Sequence, residues 1–310
     1  MRAFKKELTM LGVMIALAII TAIINPSSFL NADNLNNNVR HISLIALFAL
    51  GEAVVIIAGG IDLSVGSIIC LTACTTSYLT MVQGFGIVPA VILALLLAVV
   101  IGVLQGALIA RLGVAPFVIT LGSMLFLRGV AEVLTQGSEI GFQGKFPGLR
   151  FLGEGNGLGL PMPFWFALAA VVAVAFVMHR TIFGRYCYAI GSNAEAARLS
   201  GVPVTAMRLA TYVASALLAG IAGILWVAYL PAASPALGNS WELYAVAAAV
   251  LGGCSLQGGR GSVFGVLVGA GVWHLTFNSV NLVLNSLWQN VVAGAVILIA
   301  VTVDHLFEKK

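Results

Sequence analysis

Charge is scarce in this chain of 310 residues. Asp, Glu, Lys and Arg make up 8 % of it, against about 25 % in ordinary soluble domains. A soluble domain is excluded on that ground. Cysteine is scarce too: Cys70, Cys74, Cys187 and Cys254 include no Cys-x-x-Cys pair, which argues against a disulfide framework or a zinc site and leaves small packing residues. No Gly-x-x-x-x-Gly-Lys-Ser/Thr loop is present, so nucleotide is not bound by that route. His-Glu-x-x-His and Gly-x-Ser-x-Gly are also missing, and nothing else marks an embedded hydrolase. The net charge of +4 comes from basic residues spread along loops, a distribution unlike a nucleic-acid-binding patch.

What the chain has in abundance is apolar length. Hydrophobic residues make up 60 % of it, and the mean hydropathy is +1.06. A span needs about 20 apolar residues, and the breaks in hydropathy predict ten, near residues 8–25, 39–58, 65–83, 87–110, 116–135, 162–179, 206–229, 242–256, 262–280 and 287–304. Helices are the default in lipid, because an open strand edge leaves backbone groups without partners. No alternating barrel pattern appears. The expected fold class is therefore all-α, a polytopic integral membrane protein whose 310 residues form one transmembrane domain, with residues 180–208 an inward loop inside it. The stretch Leu8 to Ile24 after Arg2, Lys5 and Lys6 has no small-x-small cleavage site behind it and reads as a retained first span.

Orientation follows from the basic residues. With the N-terminus inside, Arg2, Lys5, Lys6, Arg111, Arg180, Arg185, Arg198, Arg208, Arg260, Lys309 and Lys310 collect on the inner side, while Arg40, Lys145 and Arg150 lie outside. Both termini are then expected in the cytoplasm. The longest outward loop, roughly Gln136 to Pro161, can be a docking surface, a lid or a connector.

Several polar groups stand out in this apolar background. Gly59-Gly60-Ile61-Asp62-Leu63-Ser64-Val65-Gly66-Ser67 breaks an apolar stretch with glycines, a carboxylate and hydroxyls. Asp62 or Ser64 can cap the next helix, and the segment reads either as a tight turn or as a gate or hinge. A short echo links Gly59 to Leu63 with Gly252 to Leu256. Glu52, Arg128 and Glu132 fall within spans and need partners. Arg128 and Glu132, four apart, are expected to form a structural ion pair, with Glu52 joining Arg128 across helices or snorkelling. His274, Asn278, Asn281 and Asn285 step by four, three and four along one stripe. Their amides suit hydroxyl-bearing solutes, so His274 and Asn278 are candidates for a substrate path, the alternative being an ordinary polar boundary.

The inward loop from His179 to Arg208 holds a polar island. Ala194 to Leu199 are good helix formers, Asn193 can cap the start and Gly201 can end it. Such a short helix between spans can act as a rigid lever; the plainer reading is an ordinary basic loop.

Five segments in order resemble the permeases of the ribose/xylose/arabinose group of ABC importers: Gly59 to Ser67; Leu127-Arg128-Gly129; Phe183 to Tyr186 with Ala189 to Asn193; Ala196 to Gly201; and Val250 to Gly253 with Gly258 to Gly261. The resemblance implies a permease dimer in the bacterial inner membrane, a cytoplasmic ATPase holding ATP and Mg, and a periplasmic sugar-binding protein that delivers a monosaccharide, with ribose favoured. It implies that Asn193, Glu195, Ala196, Ala197, Arg198, Leu199, Ser200 and Gly201 contact the ATPase, and that this chain is a transport subunit carrying no cofactor of its own. Val202-Pro203 departs from the broader importer signature. The rival reading is an ion-gradient-driven secondary transporter, which calls for more titratable groups at mid-membrane than Glu52, Arg128 and Glu132.

Overall fold

In the computed structural model, helices account for almost all regular structure among the described residues, which are 2–142 and 144–308, with side chains for 7–142, 144–299 and 302. Lys309 and Lys310, counted above as inward charges, lie outside them, as do the side chains of Arg2, Lys5 and Lys6. Among the described residues seven helices are long and apolar enough to cross a membrane: α1 (Arg2–Ile24), α3 (Ala32–Ile57), α5 (Ile87–Leu112), α6 (Pro116–Thr135), α8 (Met162–Arg180), α11 (Val204–Tyr229) and α13 (Val263–Val283). Three shorter apolar segments add to them: α4 (Val65–Met81), α12 (Trp241–Leu251) and Ser286–Ile299, which leads into α14 (Gln289–Glu308). Each of the ten expected runs thus falls on a helix. The remaining helices are short: α2 (Pro26–Phe29), α7 (Pro147–Glu154), α9 (Ile182–Ser192) and α10 (Ala194–Leu199).

Burial sorts these helices into a centre and a rim. The apolar window of α3 is 89 % buried, whereas that of α1 is 6 % buried and those of α6 and α8 are 17 %. Helix α5 shows how the sequence encodes its place. Ala90, Ala94, Ala98, Gly102 and Gly106 recur every four residues and are buried, while Leu96, Leu104 and Leu112 on its other faces stay exposed. The small stripe lets backbones approach: a Cβ on Gly102 would stand 2.8 Å from the Tyr212 carbonyl and from Val213 Cα of α11. Close small-residue contacts of this kind hold helices together where lipid offers no hydrophobic contrast.

The loop between α6 and α8 is ordered by short contacts. β1 (Ile140–Gly141) pairs antiparallel with β4 (Ala232–Ala233), Ile140 opposite Ala233, and β2 (Asn156–Gly157) pairs with β3 (Leu160–Pro161). Arg40 of α3 donates to the Glu154 carbonyl at the end of α7, and α7 buries Leu149 and Gly153. The molecule therefore has two distinguishable ends, one carrying α7 and the other α10. Helix α3 joins them, and its 26 residues give about 39 Å at 1.5 Å per residue.

Two of the shifted boundaries bear on how the helices meet. Helix α3 starts at Ala32 rather than near residue 39, because its first turns are rich in asparagine and read as loop although they are helical and face inward. Helix α12 stops at Leu251 rather than near 256, because Gly253 adopts φ 91° and closes the helix, its N–H bonding the Val250 carbonyl.

Candidate functional site

A cavity of ≈ 370 Å³ lies between α3 and α13 in the half of the molecule nearer α7. Asn34, Asn38, His41, Ile45 and Phe48 line it from α3 at steps of four, three, four and three, so they share one face of that helix. Trp273, His274, Phe277, Asn278 and Asn281 line it from α13. The two walls are cross-linked: Asn278 Nδ2 donates to Asn34 Oδ1 at 2.9 Å, and His274 Nε2 lies 2.9 Å from Asn38 Oδ1. The rings of His41 and His274 stack at 5.2 Å and 6°. Asn281 at the mouth is exposed. His274 and Asn278, singled out in the sequence, are therefore cavity residues. Asn285 is not: α13 ends at Val283, and the Asn285 side chain instead caps the 3₁₀ turn Ser286–Trp288.

The floor of the cavity is aromatic. Phe48 and Trp241 stack at 6.0 Å and 15°, and Trp226 meets Trp241 at 4.5 Å. Trp241 begins α12, a helix of 11 residues reached through the non-helical stretch 234–240. Non-helical backbone inside a membrane protein must find its hydrogen bonds within the protein. Arg128 supplies them. Its guanidinium donates to the carbonyls of Pro235 and Leu237, and the Cys70 thiol lies 3.3 Å from the Pro235 carbonyl. The expected ion pair with Glu132 is thus replaced: no bond joins Arg128 to Glu132 among the described residues, because the guanidinium is committed to carbonyls across the helix contact. Gly66, expected as a hinge element, is a packing residue here, since a Cβ would run into the Gly238 carbonyl of the same stretch.

Beyond the floor, the path toward α10 is closed by a buried polar cluster. Asp62 Oδ1 accepts from the Ser64 N–H at 3.0 Å and from Ser64 Oγ at 2.6 Å, while Asp62 Oδ2 accepts from Ser215 Oγ at 2.9 Å. Gln105 Nε2 donates to Ser64 Oγ at 2.8 Å, and the Asp62 N–H donates to Glu52 Oε1 at 3.2 Å. Ser64 sits at the N-cap of α4 without a side-chain capping bond; its hydroxyl serves Asp62. Glu52 neither reaches Arg128 nor snorkels, being fully buried against the Asp62 backbone. The cluster ties the α3–α4 turn to α5 and α11. Next to it, the space lined by Gly59, Gly60, Arg208 and Tyr212 is only ≈ 10 Å³, room for about one water.

Four glycines join this turn to the segment that leads into α10. Gly59 takes φ 81° and Gly60 donates to the Val55 carbonyl, closing α3 in the same pattern by which Gly253 and Cys254 close α12. The echo seen in the sequence is therefore structural, but the matching closures align Gly59 with Gly253, one residue away from the match of letters. The two closures meet: Gly259 N–H donates to the Ile57 carbonyl at 2.9 Å. Gly191 of α9 fits between these strands of backbone, where a Cβ would overlap the Ile57 carbonyl and Gly259 N, and Gly258 packs on Gly191 and Gly59.

From Gly191 the chain runs directly into α10. Asn193 Oδ1 accepts from the Ala196 N–H at 2.9 Å, and Gly201 at φ 83° ends the turn. Glu195 and Arg198 pair at 2.6 Å with both side chains exposed. The hydrogen bond and charge of Arg198 hold the Glu195 carboxyl below its usual range. Ala197 is buried and Leu199 is 77 % exposed, so α10 presents an apolar tip and an ionic side to the outside. Ala196 and Ser200 close its hydrogen-bond pattern, Ser200 N–H bonding the Ala196 carbonyl.

A family described as the branched-chain amino acid transport system permease component matches residues 34–301. The chain belongs to this permease family. Among its relatives it is 40 % identical to the ribose import permease of Escherichia coli strain K12 over 94 % of this chain and 92 % of that protein. It is 41 % identical to the ribose import permease of Bacillus subtilis strain 168 over 95 % and 91 %, and 34 % identical to the D-allose transport system permease of Escherichia coli strain K12 over 96 % and 92 %. No solved structure matches the chain. The permease assignment agrees with helices long and apolar enough to cross a membrane and a cavity between two of them. Sequence reasoning missed Asn34, Asn38, Trp226 and Trp241 as cavity residues; the spacing of Asn34, Asn38 and His41 was the available signal.

Proposed function

We propose that this chain is the permease subunit of an ATP-driven importer for a monosaccharide, with ribose the first candidate, fed by a periplasmic sugar-binding protein and driven by a separate ATPase that holds ATP and Mg. The observation that carries the proposal is a cavity walled by amides and aromatic rings near the α7 end, in a permease whose relatives are named for ribose and allose. Amides both donate to and accept from hydroxyls. The arrangement suits an uncharged, hydroxyl-rich solute.

The α10 end is taken as cytoplasmic. Arg180, Arg185, Arg198, Arg208 and Arg260 gather on the segments around it, the bias expected of inward loops, and both termini then lie inside with the α7 end facing the periplasm. Residues 193–201 form the contact with the ATPase, and a second copy of the chain completes a homodimer in the bacterial inner membrane. The structure is then an outward-facing form, open above the Phe48–Trp241 floor and closed below it. ATP binding by the partner moves α10, α9 carries the motion to Gly191, and the paired glycine turns and the Asp62 cluster part. ATP enters the cycle only as differential stability of two arrangements.

Proteoliposomes holding the chain, its ATPase and its binding protein test the proposal. Uptake of D-ribose, D-xylose or D-allose that requires ATP supports it. Uptake that persists without the ATPase and collapses with an ion gradient marks a secondary carrier instead.

A further inference from the structure

We infer that the cavity between α3 and α13 is a recognition site for one uncharged sugar ring, so that the permease itself selects its solute. The inference deepens the importer reading and rests on it for the identity of the solute class.

Four polar atoms around the cavity are buried and have no partner in the protein: Asn38 Nδ2, Asn278 Oδ1, Trp226 Nε1 and Trp273 Nε1. Asn38, Trp226 and Trp273 are 5 %, 8 % and 1 % exposed. Buried polar atoms are nearly always paired; four of the nine exceptions among the described residues belong to side chains that line this one space, a clustering that the hydroxyls of a bound solute would relieve. The cross-links explain which atoms remain. Asn38 spends its oxygen on His274 and keeps its N–H₂, while Asn278 spends its nitrogen on Asn34 and keeps its oxygen. Either orientation of each amide leaves one atom unpaired. Three donors and one acceptor remain, and a hydroxyl, which accepts twice and donates once, answers both kinds.

Water alone satisfies the polar atoms but gains nothing from the rings. Phe48, Trp226, Trp241 and Phe277 give the cavity apolar faces, and a sugar ring has both hydroxyl edges and C–H faces to set against them. A charged solute is disfavoured. Among the described residues no Asp, Glu, Lys or Arg lines the space. Arg40, beside His41 in sequence, is already bonded to Asn37 and to the Glu154 carbonyl and lies 5.1 Å from the Tyr229 ring centre. A phosphate or carboxylate entering here would find no cation in the lining itself, the Arg40 charge being held behind Asn37 by that side chain and the Glu154 carbonyl. The site therefore admits neutral sugars and rejects sugar phosphates and sugar acids.

The test is saturation-transfer NMR on the full chain with its ATPase in lipid nanodiscs, without binding protein, using D-ribose, D-xylose and D-allose against D-ribose 5-phosphate. Saturable binding of at least one free sugar, with the phosphate silent, is the expected result. Trp226→Phe and Trp273→Phe keep an aromatic face and remove the N–H together with the five-membered ring, and each should raise the half-saturating concentration at least about twofold, the lower end of the range for one neutral hydrogen bond. Asn278→Leu should do the same, and co-purification with the ATPase checks that each variant folds. No saturable signal up to about 100 mM, an equal response to the phosphate, or unchanged binding in the two Trp variants overturns the site whatever the uptake assay gives. Sugar binding that survives while ATP-driven uptake is absent overturns the importer reading instead.

Discussion

Arg128 shows how one side chain settles a structural question that its sequence neighbourhood poses wrongly. An arginine four residues from a glutamate in an apolar helix invites an ion pair, yet its guanidinium holds the carbonyls of Pro235 and Leu237. The sequence could not display this, because the acceptors are backbone atoms more than a hundred residues away. Arg128→Ala strands the Leu237 carbonyl, at about 1–3 kcal/mol, and leaves the Pro235 carbonyl only the Cys70 thiol. Thermal unfolding of the purified protein should drop markedly, with Arg128→Lys falling between the two; an unchanged midpoint for Arg128→Ala contradicts the role. Gly191 is the second deciding residue. A methyl group there meets backbone on two sides, and overpacking of that kind costs about 1–3 kcal/mol. Gly191→Ala should leave ATPase binding intact while lowering ATP-driven uptake several-fold; normal uptake argues against the junction. Glu195, held below its usual range by Arg198, contributes to α10 above the ordinary carboxylate range of about 4 and loses that contribution as pH falls through its lowered value. Uptake should consequently show no inflection from this pair between about pH 6 and 8, and Glu195→Gln should not change the profile there.

At the scale of elements, the runs of apolar residues predict where helices lie, and the exceptions line the cavity or close a helix. The first turns of α3 carry Asn34, Asn37 and Asn38, which lower hydropathy enough to look like a loop while lining the cavity. Helix α12 is short for a span because it starts inside the protein at Trp241 and ends at a glycine closure. Both departures follow from one cause: hydropathy registers contact with lipid, and these segments face a polar cavity or other backbone. The polar island at 193–201 was legible in full, since Asn193, the helix formers and Gly201 act within a few residues of one another. The cavity required α3 and α13 to be brought together and was half visible, in His274 and Asn278. Loss of the apolar tip of α10 belongs at this scale. Leu199→Asp puts a charge on a side chain that is 77 % exposed, so the fold should survive while co-purification of the ATPase falls at least about tenfold, as when a central interface contact is removed.

For the whole molecule, the proposed importer cycle needs a cavity at one end and a lever at the other, joined by α3 and a glycine junction. Its orientation is open to direct measurement. The four cysteines are buried, so a cysteine placed at Leu158, which is 91 % exposed, should react with an impermeant maleimide from the periplasmic side, and one at Ser200 only from the cytoplasmic side. Reversed labelling would invert the importer. The central claim is that force from a separate ATPase reaches the cavity through α10. ATP-driven sugar uptake by the reconstituted complex, with residues 195–201 replaced by a flexible glycine-serine stretch, tests it most directly. The account predicts that uptake disappears while the permease still folds and binds sugar; full uptake with that replacement would contradict it.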